Sequence, residues 1–238
     1  MSTKGTVDVI FCLDASTSMR PCIEGVKSHI ASFVDGLKGG GQQSWDLRLD
    51  YVAHRARKGA DLRMESLYEP NLMEALYQPS STGQNQQGPR LFTRDIEEFK
   101  QGLSEVKTWA NEASLVALDS CLDFPWRPAG ECHRVIVFMT NETTATGLRA
   151  EDQQSKLPDL MRKTMDLRVL LFIVGPECPV YEELSEVDKS EYEVVDGLSS
   201  INFSNLLAGI GKSVSVSQTS QQSSEPTVQR ELYDQSSW

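Results

Sequence analysis

Three apolar runs constrain the fold of this chain more than any other feature of its sequence. They cover residues 7–13, 133–140 and 167–175, and each is rich in Val, Ile, Leu or Phe. Strands this continuously apolar are typical of parallel sheets, because helices cover such sheets on both faces. Segments with helical spacing, such as the one from Ile23 to Leu37, alternate with these runs. We therefore predict an α/β protein of three layers, with a mostly parallel central sheet between two layers of helices.

The remaining segments complete the predicted order of elements. Residues 45–54 alternate polar and apolar side chains, which predicts a strand with one solvated face. Short apolar groups at 67–68 and 75–77 predict a hairpin or an antiparallel edge strand. Thr93 is predicted to cap the helix that follows it, since acidic residues crowd the first turns after it. Further helices are predicted near residues 112–121, 157–165, 181–187 and 201–214, with a last strand at 192–195.

The charge and the cysteines limit the classes of function that we expect. The net charge is −11, with 34 acidic against 23 basic residues, which disfavours a nucleic-acid-binding face because phosphate contacts need Lys and Arg. No apolar stretch is long enough to span a bilayer, and residues 1–6 lack the hydrophobic region of a secretory signal. The five cysteines show no paired spacing, and Cys12 and Cys121 lie in apolar runs. We therefore expect a reduced, cytoplasmic protein that binds neither nucleic acid nor membrane.

The end of the chain differs in composition from the rest. We predict one domain at residues 1–214, followed by a disordered tail rich in Ser and Gln at 215–238. The tail ends with Leu232, Tyr233 and Trp238, which could form a docking peptide in cis or in trans, or simply a frayed terminus.

The pattern Asp14-x-Ser16-x-Ser18 follows the first apolar run and precedes the first helical segment. One carboxylate and two hydroxyls at alternating loop positions can converge on one point, and Mg²⁺ prefers a few protein oxygens together with retained water. In this strand-loop-helix context the pattern resembles the metal-ion-dependent adhesion site of von Willebrand factor A domains. The resemblance covers most of residues 6–214 and implies their three-layer, Rossmann-like fold with one antiparallel edge strand.

Two other loops complete the metal site in that family, and this chain departs from both. The second loop of the family reads Gly-Gly-Thr-x-Thr-Gly-x-Ala-Leu. When this chain is aligned to that pattern on Ala117 and Leu118, Glu112 stands at the position of the ligating Thr and Ser114 at the position of the second Thr. The fourth strand of the family runs into Thr-Asp-Gly, whereas Asn141 replaces the Asp here. The resemblance thus implies an all-oxygen site for Mg²⁺ or Mn²⁺. Its ligands would be Asp14, Ser16, Ser18, Glu112 or Ser114, and Asn141.

These departures leave several predictions open. In the family an acidic residue of a partner protein often completes the coordination of the metal, and Glu112 would occupy part of that space. The site could therefore bind partners weakly through its metal, or be closed by its own side chain. A third alternative is a degenerate site within a metal-independent scaffold.

Enzymatic functions fit the sequence less well. A phosphatase of the haloacid dehalogenase type needs a second Asp where Ser16 stands, and no Gly-x-Ser-x-Gly motif accompanies the serines. The three histidines, His29, His54 and His133, are scattered and are predicted to be structural. We predict a non-enzymatic protein-interaction module, with a Mg²⁺-dependent phosphotransfer or hydrolytic enzyme as the alternative. Intracellular members of the family are frequently bacterial and resemble components that accompany AAA+ ATPases, or kinase and phosphatase partners, in stress and tellurite-resistance systems.

Overall fold

Six strands form one sheet in the structure, a computed structural model that describes residues 5–38, 44–56, 62–77, 89–109, 114–144, 154–197 and 201–222. The strand order is β3-β2-β1-β4-β5-β6. Every neighbouring pair is parallel except β2 and β3, which are antiparallel. The predicted α/β fold with one antiparallel edge strand is therefore confirmed. The strands are β1 (Gly5–Asp14), β2 (Trp45–Ala56), β3 (Leu62–Glu65), β4 (His133–Met139), β5 (Val169–Gly175) and β6 (Ser190–Val194).

Seven helices of the described chain cover the two faces of the sheet. They are α1 (Arg20–Lys38), α2 (Leu72–Tyr77), α3 (Ile96–Glu105), α4 (Ser114–Leu122), α5 (Leu157–Leu167), α6 (Pro179–Ser185) and α7 (Phe203–Gln222). Helices α1, α3 and α7 share one hydrophobic core with the sheet, and α2, α4, α5 and α6 share the other. Alternate residues of β1 enter opposite cores, Phe11 the first and Cys12 the second, because successive side chains of a strand point to opposite faces.

Helices α1 and α7 pack closely against one face of the sheet. The apolar stripe of α1 is buried as its spacing predicts, with Val26, Ile30 and Phe33 among its fully buried residues. A Cβ atom on Gly36 would collide with the carbonyl oxygen of Ala208 in α7. The absence of that side chain lets the two helix backbones approach each other.

The prediction of a solvated face on β2 is wrong. Asp50 and His54 are both fully buried. The Asp50 carboxylate accepts backbone N–H groups from Tyr51, Leu67 and Phe92 at 2.8, 3.0 and 2.8 Å. Chain segments distant in sequence therefore cover the polar positions that the alternation assigned to solvent. Burial lowers the pKa of His54 to about 3, so its ring is neutral at neutral pH.

Two local predictions also need correction. Residues 75–77 belong to helix α2, and the edge strand is β3. Asp95, not Thr93, caps α3, since its carboxylate accepts the backbone N–H groups of Glu97 and Glu98 at 2.8 and 3.2 Å. The Thr93 hydroxyl instead accepts the backbone N–H of Asp95 at 2.9 Å.

The last helix continues to Gln222, beyond the end at residue 214 that the sequence predicted. Residues 215–222 are thus helical, where disorder was predicted, because an established helix gains one hydrogen bond for each residue that it adds. The proposed docking peptide lies outside the described residues, and the division into domain and tail stays a prediction. Within the described helices, none combines the length and the apolar character that crossing a bilayer requires.

Candidate metal centre

The carboxyl ends of β1 and β4 meet at the centre of one edge of the sheet. The chain leaves β1 toward β2 on one side, and β4 lies on the other side, so the strand order reverses between them. Ligand sites of open α/β sheets commonly lie at such a reversal. Asp14 is the last residue of β1, and Thr140 and Asn141 directly follow β4.

The first loop brings its predicted residues together. Asp14 is fully buried, and its Oδ1 accepts the backbone N–H of Ser16 at 2.7 Å. The hydroxyls of Ser16 and Ser18 lie 3.0 Å apart. Ser16 is buried and Ser18 is exposed, so the cluster reaches from the end of β1 to the surface. Whether these groups bind a metal stays a prediction.

Asp14 has no cationic side chain as a partner among the described residues. Burial raises the pKa of its carboxyl group, and hydrogen bonds from Ser16 and Thr140 offset only part of that effect. The Thr140 hydroxyl donates to Asp14 Oδ2 at 3.3 Å. A buried carboxylate of this kind is costly unless a counter-charge approaches it. A divalent cation would supply that charge.

Trp109 holds the second loop against the first. Its backbone N–H donates to the Ala15 carbonyl at 2.9 Å, and its carbonyl accepts the Thr17 N–H at 3.0 Å. Glu112 lies outside the described residues, so its assignment as a ligand stays a prediction. Ser114 is buried at the start of α4, and its hydroxyl lies close to that of Tyr181.

Asn141 carries a buried acceptor on the loop that follows β4. Its Oδ1 atom is buried and has no hydrogen-bond partner within the described part of the chain. Leaving a buried acceptor without a partner costs about 1–3 kcal/mol. A cation, or a water molecule bound to one, would remove that cost.

Sequence reasoning missed two residues of this cluster, Thr140 and Tyr181. Thr140 is fully buried and contacts Asp14 directly. The Tyr181 hydroxyl donates to the Glu142 carbonyl at 2.9 Å and so fixes the loop after β4. Burial raises the pKa of Tyr181, and the negative charge of Asp14 adds to that effect. Thr140 stands next to Asn141 and could have been found from that position, whereas nothing local marks Tyr181.

The donor set fits a hard divalent cation. No three His, Cys, Asp or Glu side chains are grouped to hold a metal in the ranges that the structure describes. The predicted ligands that the structure describes are one carboxylate, three serine hydroxyls and one amide oxygen. Mg²⁺ accepts such a small set because it usually retains several water molecules.

Comparisons with known proteins support the fold alone. No protein-family model matches the sequence, and no curated protein matches it. The structure is similar to that of a von Willebrand factor type A protein from Catenulispora acidiphila, with a TM-score of 0.57 and 12% sequence identity. The match covers 90% of this chain and 43% of that protein, so the chain spans less than half of its length. The chain therefore has the Rossmann-like fold of a von Willebrand factor A domain.

Proposed function

We propose that this chain is a non-enzymatic protein-interaction module that binds partner proteins through a divalent-cation site at the carboxyl edge of its sheet. The observation that carries the proposal is the buried carboxylate of Asp14, which has no cationic partner among the described residues. The unsatisfied Oδ1 of Asn141, on the loop after the neighbouring strand, supports the same site.

Asp14, Ser16, Ser18 and Asn141 would hold Mg²⁺ or Mn²⁺, with Ser114 or Glu112 as a further ligand from the second loop. The cation offers an open coordination position to an acidic side chain of the partner. The protein orients the site through backbone groups, since the Ser16 N–H fixes Asp14 and the Trp109 contacts fix the first loop. The exposed Ser18 lies where a partner would approach.

The proposal is non-enzymatic because Ser16 occupies the position where a phosphatase of the haloacid dehalogenase type needs its second carboxylate. Without that group, no general acid would stand beside Asp14 on the first loop. We extend the proposal to a cytoplasmic, bacterial module in a stress-response system, acting with an AAA+ ATPase or with kinase and phosphatase components.

Cation binding is tested by isothermal titration with Mg²⁺ and Mn²⁺. Wild type should bind one ion in the site, Asp14→Asn should lose it, and Asp35→Asn should retain it. Asp35 is a suitable control because it lies on α1 with 73% of its side chain exposed. Equal binding by wild type and Asp14→Asn would contradict the proposal. Unchanged affinity in Glu112→Ala would remove only Glu112 from the ligand set.

The interaction itself is tested by capture of partner proteins with and without EDTA. The cation-dependent module predicts that EDTA and Asp14→Asn both abolish capture of the same partner. Capture that survives both treatments would identify a metal-independent scaffold instead. Turnover of a generic phosphoester in the presence of Mg²⁺ would contradict the non-enzymatic assignment.

A further inference from the structure

His54 is a buried polar residue in the second strand of the sheet. Its side chain is fully buried in β2, and neither Nδ1 nor Nε2 has a hydrogen-bond partner among the described residues. A neutral imidazole carries one N–H donor and one lone pair, so both functions of this ring are unsatisfied. Such a group in a folded protein calls for an explanation, and an ion or a water molecule is the usual one.

The sheet places His54 beside Asp14. The two residues are paired in register in the parallel strands β2 and β1, whose backbones lie about 4.8 Å apart in such a sheet. Both belong to the face that carries Cys12 and Val52, because side chains alternate along each strand. The Ala15 N–H also donates to the His54 carbonyl at 2.8 Å, so the first loop of the candidate site begins against His54.

Groups without a hydrogen-bond partner among the described residues therefore lie on both sides of β1 in the strand order. His54 stands on β2 and Asn141 follows β4, while Asp14 ends the strand between them. A cation held by Asp14 at the end of β1 would lie next to the strand that carries His54. The imidazole of His54 would add a nitrogen ligand, which the predicted oxygen ligands of this site do not include.

We infer that His54 donates one imidazole nitrogen to the cation held by Asp14, and that the site consequently prefers Mn²⁺ to Mg²⁺. The inference rests on the proposed cation site and names the ion that this site selects. Imidazole suits transition-metal ions, whereas Mg²⁺ favours oxygen ligands. A nitrogen ligand thus strengthens binding of Mn²⁺ more than binding of Mg²⁺.

Pulsed electron paramagnetic resonance of Mn²⁺ on the full chain tests for this nitrogen. Wild-type protein containing ¹⁵N only in its histidines should show a ¹⁵N coupling to Mn²⁺. His54→Leu should lose the coupling, and His133→Asn should retain it because His133 begins β4 at the opposite edge of the sheet. A wild-type spectrum without any histidine coupling would overturn the role of His54 even if a variant fails to fold, since that measurement needs no substitution.

Competition titrations give a second, independent measurement. His54→Leu should lower the affinity for Mn²⁺ relative to Mg²⁺ by about tenfold or more, the scale on which even outer-shell partners affect metal sites. It should fold, because an apolar side chain replaces a ring that makes no hydrogen bonds to the residues that the structure describes.

The outcomes separate this inference from the proposed function. Mn²⁺ bound at Asp14 without a histidine coupling would overturn the role of His54 and leave the cation site standing. A buried water molecule would then be the partner of the ring. If wild type binds neither ion, both the cation site and the role of His54 are wrong.

Discussion

Strand β1 carries two fully buried aspartates, Asp8 in its first half and Asp14 at its end, and their surroundings are opposite. Asp8 accepts hydrogen bonds from Arg48 Nε and Nη2 at 2.7 and 2.6 Å and from Arg127 Nε at 2.8 Å. Burial raises the pKa of Asp8, but the contacts with Arg48 and Arg127 outweigh it and leave the pKa below its ordinary value. The pKa of Asp14 is raised, since burial acts there without such partners.

We expect an Asp→Asn substitution to lower the free energy of unfolding by different amounts at Asp8 and at Asp14. Asp8→Asn removes the counter-charge of Arg48 and leaves Arg127 with only its ion pair to Asp46 at 3.0 Å, while 20% and 18% of the two arginine side chains are exposed. Breaking a buried pair in this way costs about 3–5 kcal/mol, a large part of the roughly 5–15 kcal/mol that stabilises a typical domain. Asp14→Asn breaks no ion pair among the described side chains, and an amide oxygen can still accept the Ser16 N–H. We expect its free energy of unfolding, without metal, to change by less than about 1 kcal/mol.

Urea unfolding at pH 7 in EDTA, followed by circular dichroism, measures both costs. Asp35→Asn is the control for a lost surface carboxylate, because its pair with Lys38 is exposed. Asp8→Asn should be strongly destabilised and should still bind Mg²⁺ under conditions where it is folded. If Asp14→Asn is as costly as Asp8→Asn in EDTA, Asp14 belongs to the structural framework and the cation-site argument fails.

Two more predictions concern Asp8 and Tyr181. The stabilisation that Asp8 provides is present above its unfolded pKa of about 3.8 and is lost as the pH falls through its lower folded value. Urea midpoints between pH 5 and pH 2 should therefore fall more steeply in wild type than in Asp8→Asn, and parallel curves would contradict this. Tyr181→Phe removes the hydroxyl that donates to Glu142, so it should cost about 1 kcal/mol in unfolding free energy and weaken Mn²⁺ binding by titration. Unchanged affinity would show that the loop after β4 does not depend on that bond.

The sequence sufficed to predict those parts of the fold that depend on local pattern. Strands β1, β4 and β5 are continuously apolar, and the loop of Asp14, Ser16 and Ser18 has the predicted place at the end of β1. Their burial follows from composition, because a parallel sheet covered on both faces needs such strands.

Contacts between distant residues account for what the sequence could not predict. The alternation in β2 indicated a solvated face, yet Asp50 is satisfied by N–H groups of Leu67 and Phe92, which no local pattern reveals. The roles of Thr140, Tyr181 and His54 likewise depend on which strands become neighbours. Their positions relative to Asp14 are set by the strand order and not by spacing along the chain.

Diffraction from crystals grown with Mn²⁺ would locate the ion at atomic detail. We expect one anomalous difference peak at the carboxyl edge of the sheet, within about 2.2 Å of an Asp14 carboxylate oxygen and close to Ser16, Ser18 and Asn141. The peak should be absent from crystals of Asp14→Asn grown in the same way. A wild-type structure with no peak beside Asp14, at a Mn²⁺ concentration that saturates binding in solution, would contradict this expectation.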